Sequence, residues 1–177
     1  IKEDKNVLIT AHTGSGKTLP AENAIQHFVK NGKKVIYCSP LKALSNEKFN
    51  DFQNKYSNIS FGILTGDIKY NPDADVLIMT TEILKNNLFQ MNQQENKDDK
   101  NSYSPLDFEM DIKNDLACVI YDEIHYINDV DRGHVWEESI MLLPHSCQIV
   151  GLSATIQNPE KLCMILNKSN EKEVYLC

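Results

Sequence analysis

The chain has 177 residues, 41% hydrophobic and 24% charged, a size and balance that suit one globular domain with a full core. Its formal net charge of −7 argues against a broadly basic nucleic-acid surface, so any such contact has to use a local track. No apolar run approaches a membrane span and the N-terminus lacks a signal-peptide layout, so the chain reads as intracellular, cytoplasmic or nuclear, with no membrane partner.

Five cysteines (Cys38, Cys118, Cys147, Cys163, Cys177) form no Cys-x-x-Cys pair and read as reduced thiols, most of them in the core. Heavy use of Asn and Lys fits an AT-rich genome, cellular or viral.

An apolar strand, Val7-Leu8-Ile9-Thr10, runs into Ala11-His12-Thr13-Gly14-Ser15-Gly16-Lys17-Thr18. A strand, a glycine turn and a Lys-Thr pair opening a helix make a phosphate-binding loop. The glycines let backbone N–H groups approach phosphate oxygens, Lys17 reaches the β/γ-phosphates, and Thr18 offers its hydroxyl to Mg²⁺. The general loop pattern begins with glycine, whereas position 11 is alanine.

Helical spacing of Ala21, Ala24, Ile25, Phe28 and Val29 predicts a helix over 19–30, closed by Asn31-Gly32. Strand 34–38 follows, and Ser39-Pro40 opens a second helix carrying Leu41, Leu44, Phe49 and Phe52. A strand over 60–64 ends at Thr65-Gly66-Asp67, a turn at Asn71-Pro72-Asp73 leads to a strand over 76–79, and Thr80-Thr81-Glu82 opens a helix to about 89.

Residues 91–105, MNQQENKDDKNSYSP, hold almost no aliphatic side chain and read as a disordered insertion. A partner-binding arm is the functional alternative. Strand 116–121 then ends in two acids, Asp122-Glu123, where a carboxylate can meet the metal held by Thr18. A helix over 134–143 presents Val135, Trp136, Ile140 and Leu143 as a packed face. Strand 148–152 leads to Ser153-Ala154-Thr155, and a helix over 158–166 and a strand over 173–176 complete the chain. Strands alternating with helices imply an α/β fold: a central, mostly parallel sheet covered on both faces, with active loops at the strands' C-terminal edge.

Taken together, the strand ends resemble the ordered motif set of superfamily 2 helicases. AHTGSGKT resembles motif I in its helicase form, which begins with alanine; DEIH resembles motif II of the DExH class, and Ser153-Ala154-Thr155 resembles motif III. SPLKALSNEKF, TGD, TTEIL, DEIHYINDVDRGHVWEESIMLLP and GLSATIQNPE are similar to the superkiller and exosome-cofactor branch, the Ski-like RNA helicases. Two departures stand out: Gly14-Ser15 occupies a place where that branch carries Ser-Ala, and the insertion is longer than the family's link.

The resemblance implies a RecA-like P-loop NTPase domain over 1–177, truncated at its N-terminus, with the adenine-reading segment and a second RecA-like domain in cis lying outside it. It implies that His12, Thr13, Gly14, Ser15, Gly16, Lys17 and Thr18 bind ATP and that Thr18 and Asp122 hold Mg²⁺. Glu123 orients the attacking water, and His125 couples the nucleotide to other motifs. Pro40, Leu41 and Lys42, with Thr65, Gly66 and Asp67 and with Thr80, Thr81 and Glu82, grip one nucleic-acid strand by its phosphates. Ser153, Ala154 and Thr155 link that grip to nucleotide state.

The implied activity is ATP hydrolysis coupled to 3′ to 5′ movement on, and unwinding of, single-stranded or partly duplex RNA, within an RNA-decay complex. A DNA helicase of the related repair branch and a nucleotide-dependent RNA clamp are the alternatives. Arg132 is the only arginine, set among acids that can pair with it locally. In the resembling family the arginine finger comes from the second domain, so the chain by itself is expected to turn over ATP barely above background.

Overall fold

The computed structural model describes residues 5–12, 14–95, 110–154, 156, 158–170 and 172–177. Thr13 and Thr155 lie outside the described residues, as do 96–105 of the expected insertion.

Strands β1 (Asn6–Thr10), β2 (Lys34–Ser39), β3 (Phe61–Leu64), β4 (Lys69–Tyr70), β5 (Val76–Thr80), β6 (Leu116–Tyr121), β7 (Gln148–Ser153) and β8 (Val174–Leu176) form one sheet in the order β4-β3-β5-β2-β6-β7-β1-β8. Every pairing is parallel except β3 with β4. Helices α1 (Thr18–Lys30), α2 (Lys42–Lys55), α3 (Thr81–Glu95), α4 (Gly133–Met141) and α5 (Pro159–Asn170) fill the crossovers, and a short 3-10 helix spans Ile124–Asn128.

The near-continuous apolar runs of β2, β5, β6 and β7 follow from burial on both faces, the usual state of a parallel sheet. Successive residues feed opposite cores. Ile36, Cys38, Leu77 and Met79 join Leu84, Trp136, Ile140, Leu162 and Leu166 from α3, α4 and α5 on one face. Val35, Tyr37, Val76 and Ile78 meet Ala21, Ala24, Ile25 and Phe52 from α1 and α2 on the other. Trp136 is 1% exposed, and Val135, Ile140 and Leu143 are buried with it, as the helical spacing predicts. Cys38, Cys118 and Cys147 are buried free thiols. Burial pushes the Cys147 thiol up to about 12, so it stays protonated.

Two elements carry no periodic signal in the sequence. The two exposed residues of β4 return antiparallel to β3 through a turn in which Thr65 N–H donates to the Ile68 carbonyl at 2.9 Å. The 3-10 helix buries Ile124 and Ile127 at i, i+3, too short a run to read as periodic. One boundary also differs: composition assigns 91–95 to the insertion, but these residues continue α3 to Glu95. Leu88 is buried and Met91 packs against the same core, so the apolar stripe outlasts the polar composition around it. Among the described residues, no helix is long and apolar enough to cross a membrane.

Candidate functional site

The glycine turn follows β1 directly, and its two glycines have φ of +84° and +83°, values that side chains rarely adopt. His12 shapes it from inside: its carbonyl accepts from Ser15 N–H at 3.2 Å and from Ser15 Oγ at 2.6 Å. Lys17 is the residue before α1 and Thr18 the first within it, which puts both at a helix N-terminus. Ala11 N–H donates to the Ser153 carbonyl at 3.1 Å, tying the start of the turn to the end of β7.

The paired acids end β6, two strands from β1 in the sheet order. Lys17 Nζ lies 3.2 Å from Glu123 Oε1 and 3.4 Å from Oε2, so the turn and the acids face each other. Glu123 has a left-handed backbone (φ 53°, ψ 44°), a conformation that costs a non-glycine residue about 1 kcal/mol. His125 Nδ1 sits 3.3 Å from Glu123 Oε2 and 3.3 Å from Ser153 Oγ. A polar chain therefore runs Lys17–Glu123–His125–Ser153, touching three of the strand-end motifs.

Asp122 has a different environment. It is 8% exposed, it accepts from Tyr37 Oη at 2.7 Å, and its Oδ1 accepts from Glu123 N–H at 3.0 Å. Burial raises its carboxyl above the usual range; the Tyr37 bond opposes that rise and the neighbouring Glu123 charge adds to it. The Tyr37 hydroxyl is itself pushed well up by burial and by Asp122, so it remains a donor. Tyr37 is a candidate site residue that sequence reasoning misses: a tyrosine inside an apolar strand reads as core, and nothing in its neighbours signals the carboxylate 85 positions away.

The other expected site residues line the C-terminal ends of β2, β3 and β5. Leu41 precedes α2 with extended backbone and is 42% exposed, and Lys42 is the first helical residue. Ser39, a capping candidate by type, instead shares a 2.6 Å hydrogen bond with Ser45 inside the fold. Lys42 Nζ pairs with Asp67 at 3.0 Å, and Thr65 Oγ1 donates to the same Asp67 oxygen at 2.9 Å. Gly66 faces the Lys42 ammonium, which a Cβ there would approach to 3.3 Å. Thr80 ends β5 and Thr81 starts α3, both buried, and the Thr81 hydroxyl has no hydrogen-bond partner in the structure. Ser153 ends β7 and Ala154 follows it, half-buried.

One expectation about side-chain pairing is corrected. Arg132 does not pair with the acids of its own loop; it bonds Glu82 and the Pro40 carbonyl, the latter at 2.9 Å. Asp129 is occupied otherwise, accepting the backbone N–H groups of Asp131 and Arg132.

A parallel sheet with a glycine turn after one strand and paired acids after another defines a RecA-like nucleotide-binding domain. The DEAD/DEAH box helicase family matches residues 1–162, and the chain belongs to that family. It is 40% identical to the antiviral helicase SKI2 of Saccharomyces cerevisiae over 99% of this chain and 12% of that one. Superkiller complex protein 2 of Homo sapiens shows the same identity over the same shares. ATP-dependent RNA helicase mtr4 of Schizosaccharomyces pombe is 38% identical over 99% of this chain and 14% of its own length. The chain thus spans about an eighth of the length of these relatives.

Among solved structures, the Mycobacterium smegmatis helicase Lhr bound to ssDNA and AMP-PNP is 28% identical, with a TM-score of 0.72 over 99% of this chain and 24% of that one. The Pyrococcus furiosus Hef helicase domain, 21% identical with a TM-score of 0.65 over 98% of this chain and 35% of that one, shares the fold.

Proposed function

We propose that residues 1–177 are the first RecA-like, ATP-binding domain of an ATP-dependent RNA helicase, in which hydrolysis drives 3′ to 5′ movement along RNA. The observation that carries this reading is the polar chain from Lys17 through Glu123 and His125 to Ser153. It links the phosphate turn, the paired acids and the third motif without a gap. RNA as the substrate is supported by the relative mtr4, an ATP-dependent RNA helicase. A superkiller-type complex is the partner that the name of the human relative favours, and a role in RNA decay, in the cytoplasm or nucleus, is what the resemblance of the motifs implies.

The residues act in sequence. Gly14 and Gly16 present backbone N–H groups to the triphosphate, and Lys17 exchanges its Glu123 partner for phosphate oxygens. Glu123, so released, orients the attacking water, and its left-handed backbone aims the carboxylate. His125 and Ser153 pass the change of partner to the end of β7. Thr18 and Asp122 are hard oxygen donors that fit Mg²⁺, an ion commonly bound by one or two protein oxygens plus phosphate and water. When bound, that ion neutralises developing charge on the phosphates. Tyr37 holds Asp122 in place for it. Pro40–Lys42, Thr65–Asp67 and Thr80–Glu82 line a phosphate track whose hydroxyls and helix starts read no sequence.

Competition of RNA and DNA oligonucleotides for stimulation of ATP turnover by the full-length protein tests this. Preferential stimulation by RNA supports it. Stimulation by DNA alone would move the protein to the DNA-repair branch, and RNA binding without turnover would make it a clamp.

A further inference from the structure

Arg132 is the one arginine of the chain. Its guanidinium reaches 92 residues back to the Pro40 carbonyl and 50 back to Glu82. β5, β2 and β6 are consecutive in the sheet, so this one side chain, set in the loop after β6, spans the C-terminal ends of three neighbouring strands. The loop is shaped to present it. Asp129 Oδ1 accepts from Asp131 N–H at 3.0 Å and from Arg132 N–H at 2.8 Å, and Gly133 N–H donates to the Asp129 carbonyl at 2.9 Å. Gly133 has no alternative, because a Cβ there would lie 2.3 Å from the Ile127 carbonyl oxygen. Asp129 is therefore engaged with backbone, and the arginine makes its side-chain bonds at a distance.

What it meets there is a carboxylate in an awkward place. Glu82 is in the first turn of α3, beside Thr81, which is 1% exposed and whose buried hydroxyl has no hydrogen-bond partner among the described residues. A helix start of this kind suits a phosphate, and a free carboxylate beside it repels one. The other acid on the proposed track, Asp67, is also closed off, by Lys42 at 3.0 Å and by Thr65 at 2.9 Å. Each of the two carboxylates on the proposed track is thus matched by one cation. A second ion pair, Lys85 with Glu138 at 3.0 Å, joins α3 to α4 one turn further on, which fixes the helix that carries Glu82 against the helix that Arg132 precedes.

We infer that Arg132 is a positioning residue for RNA: it draws the Glu82 carboxylate off the phosphate path and sets the start of α3 against the Pro40 carbonyl. It does so from the same β6–α4 connection that carries Asp122 and Glu123, so the start of α3 is tied to the segment that bears the paired acids. This inference rests on reading that edge as an RNA track.

The experiment uses the full-length protein and a labelled single-stranded RNA, with affinity from anisotropy and ATP turnover as a function of RNA concentration. Arg132→Ala is expected to weaken RNA binding about tenfold, the loss appearing in half-saturating RNA rather than in turnover at saturating RNA. Arg132→Lys should recover part of it. The double variant Arg132→Ala with Glu82→Gln should recover most of it, since no free carboxylate remains on the path. RNA affinity within twofold of the parent in Arg132→Ala, or no recovery in the double variant, overturns the inference. Should Arg132→Ala not fold, Arg132→Lys against Glu82→Gln carries the same comparison with one partner retained. Lys42→Ala is the reference: if it too leaves RNA affinity unchanged, the track reading itself fails, whereas a loss there with Arg132→Ala silent sinks only the role of Arg132.

Discussion

At the ends of β1 and β6 charges are joined end to end, whereas at the ends of β2, β3 and β5 they are closed off in pairs. Lys17 and Glu123 are 10% and 27% exposed, and Glu123 is shared with His125, which is shared with Ser153. A group that takes Lys17 for itself must re-partner every member of that chain. Lys42 and Asp67, by contrast, are 56% and 65% exposed, and among the described residues Thr65 is the one further side chain that bonds to the pair. An exposed pair of this kind contributes roughly 0–1 kcal/mol and is screened by salt. The first arrangement suits a site whose partners change during a reaction; the second suits a surface that must stay electrically quiet while a polyanion slides over it.

The largest effect expected from this difference is on turnover. Glu123→Gln in the full-length protein keeps nucleotide binding, because the amide preserves shape, and lowers turnover by ~10²–10⁴-fold. Parallel calorimetry and turnover assays check it, and undiminished turnover would show that another group orients the water. Lys17→Ala comes next. It removes the cation from the phosphate turn and should lower turnover ~10²–10³-fold and weaken MgATP binding measured by calorimetry, with the circular dichroism of the domain unchanged.

Asp122→Asn separates function from stability. The folded-state carboxyl is raised above its unfolded value, so protonation favours the fold, and the charged form costs stability as pH rises through the folded value. The asparagine variant, which can still accept from Tyr37, is therefore expected to melt higher than the parent at pH 7, with the gap closing below about pH 4, where the unfolded carboxyl is protonated too. A lower melting temperature at pH 7 would mean that Tyr37 and Glu123 N–H outweigh burial.

On the quieter surface the effects shrink. Lys42→Ala should weaken RNA binding only several-fold and reduce the slope of log affinity against log salt by about 1. Smallest of all, deletion of residues 96–104 should shift the melting temperature by less than about 2 °C, since the segment is nearly free of aliphatic side chains and loop length adds little closure cost.

How legible these features are in the sequence depends on how far apart their parts lie. β2, β5, β6 and β7 announce themselves because a strand buried on both faces is a run of apolar residues and nothing else. The phosphate turn is legible for a similar reason, its chemistry being packed into eight consecutive positions. Tyr37 and Arg132 are not, because their partners are 50 to 92 residues distant and their own neighbours mislead: apolar strand around the one, acids around the other. β4 is lost because two exposed residues have no period, and the end of α3 because polar composition hides the stripe that Leu88 and Met91 continue.

The place of β1 in the sheet bears on when the domain becomes able to bind anything. β1 is synthesised well before the strands that flank it, β7 and β8, which begin at Gln148 and Val174. Until those are made, Val7 and Leu8 have no ladder on either side, and pairings of such long sequence separation are the slow ones to form. α1 and α2 can consolidate against β2, β3 and β5 well before then. The phosphate turn, hung from β1 and held at Ala11 by Ser153, is thus synthesised long before the strands that house it. Nucleotide binding by a nascent chain is accordingly a report on the pairing of β1 with β7 and β8, and a helical signal in the same chain is not.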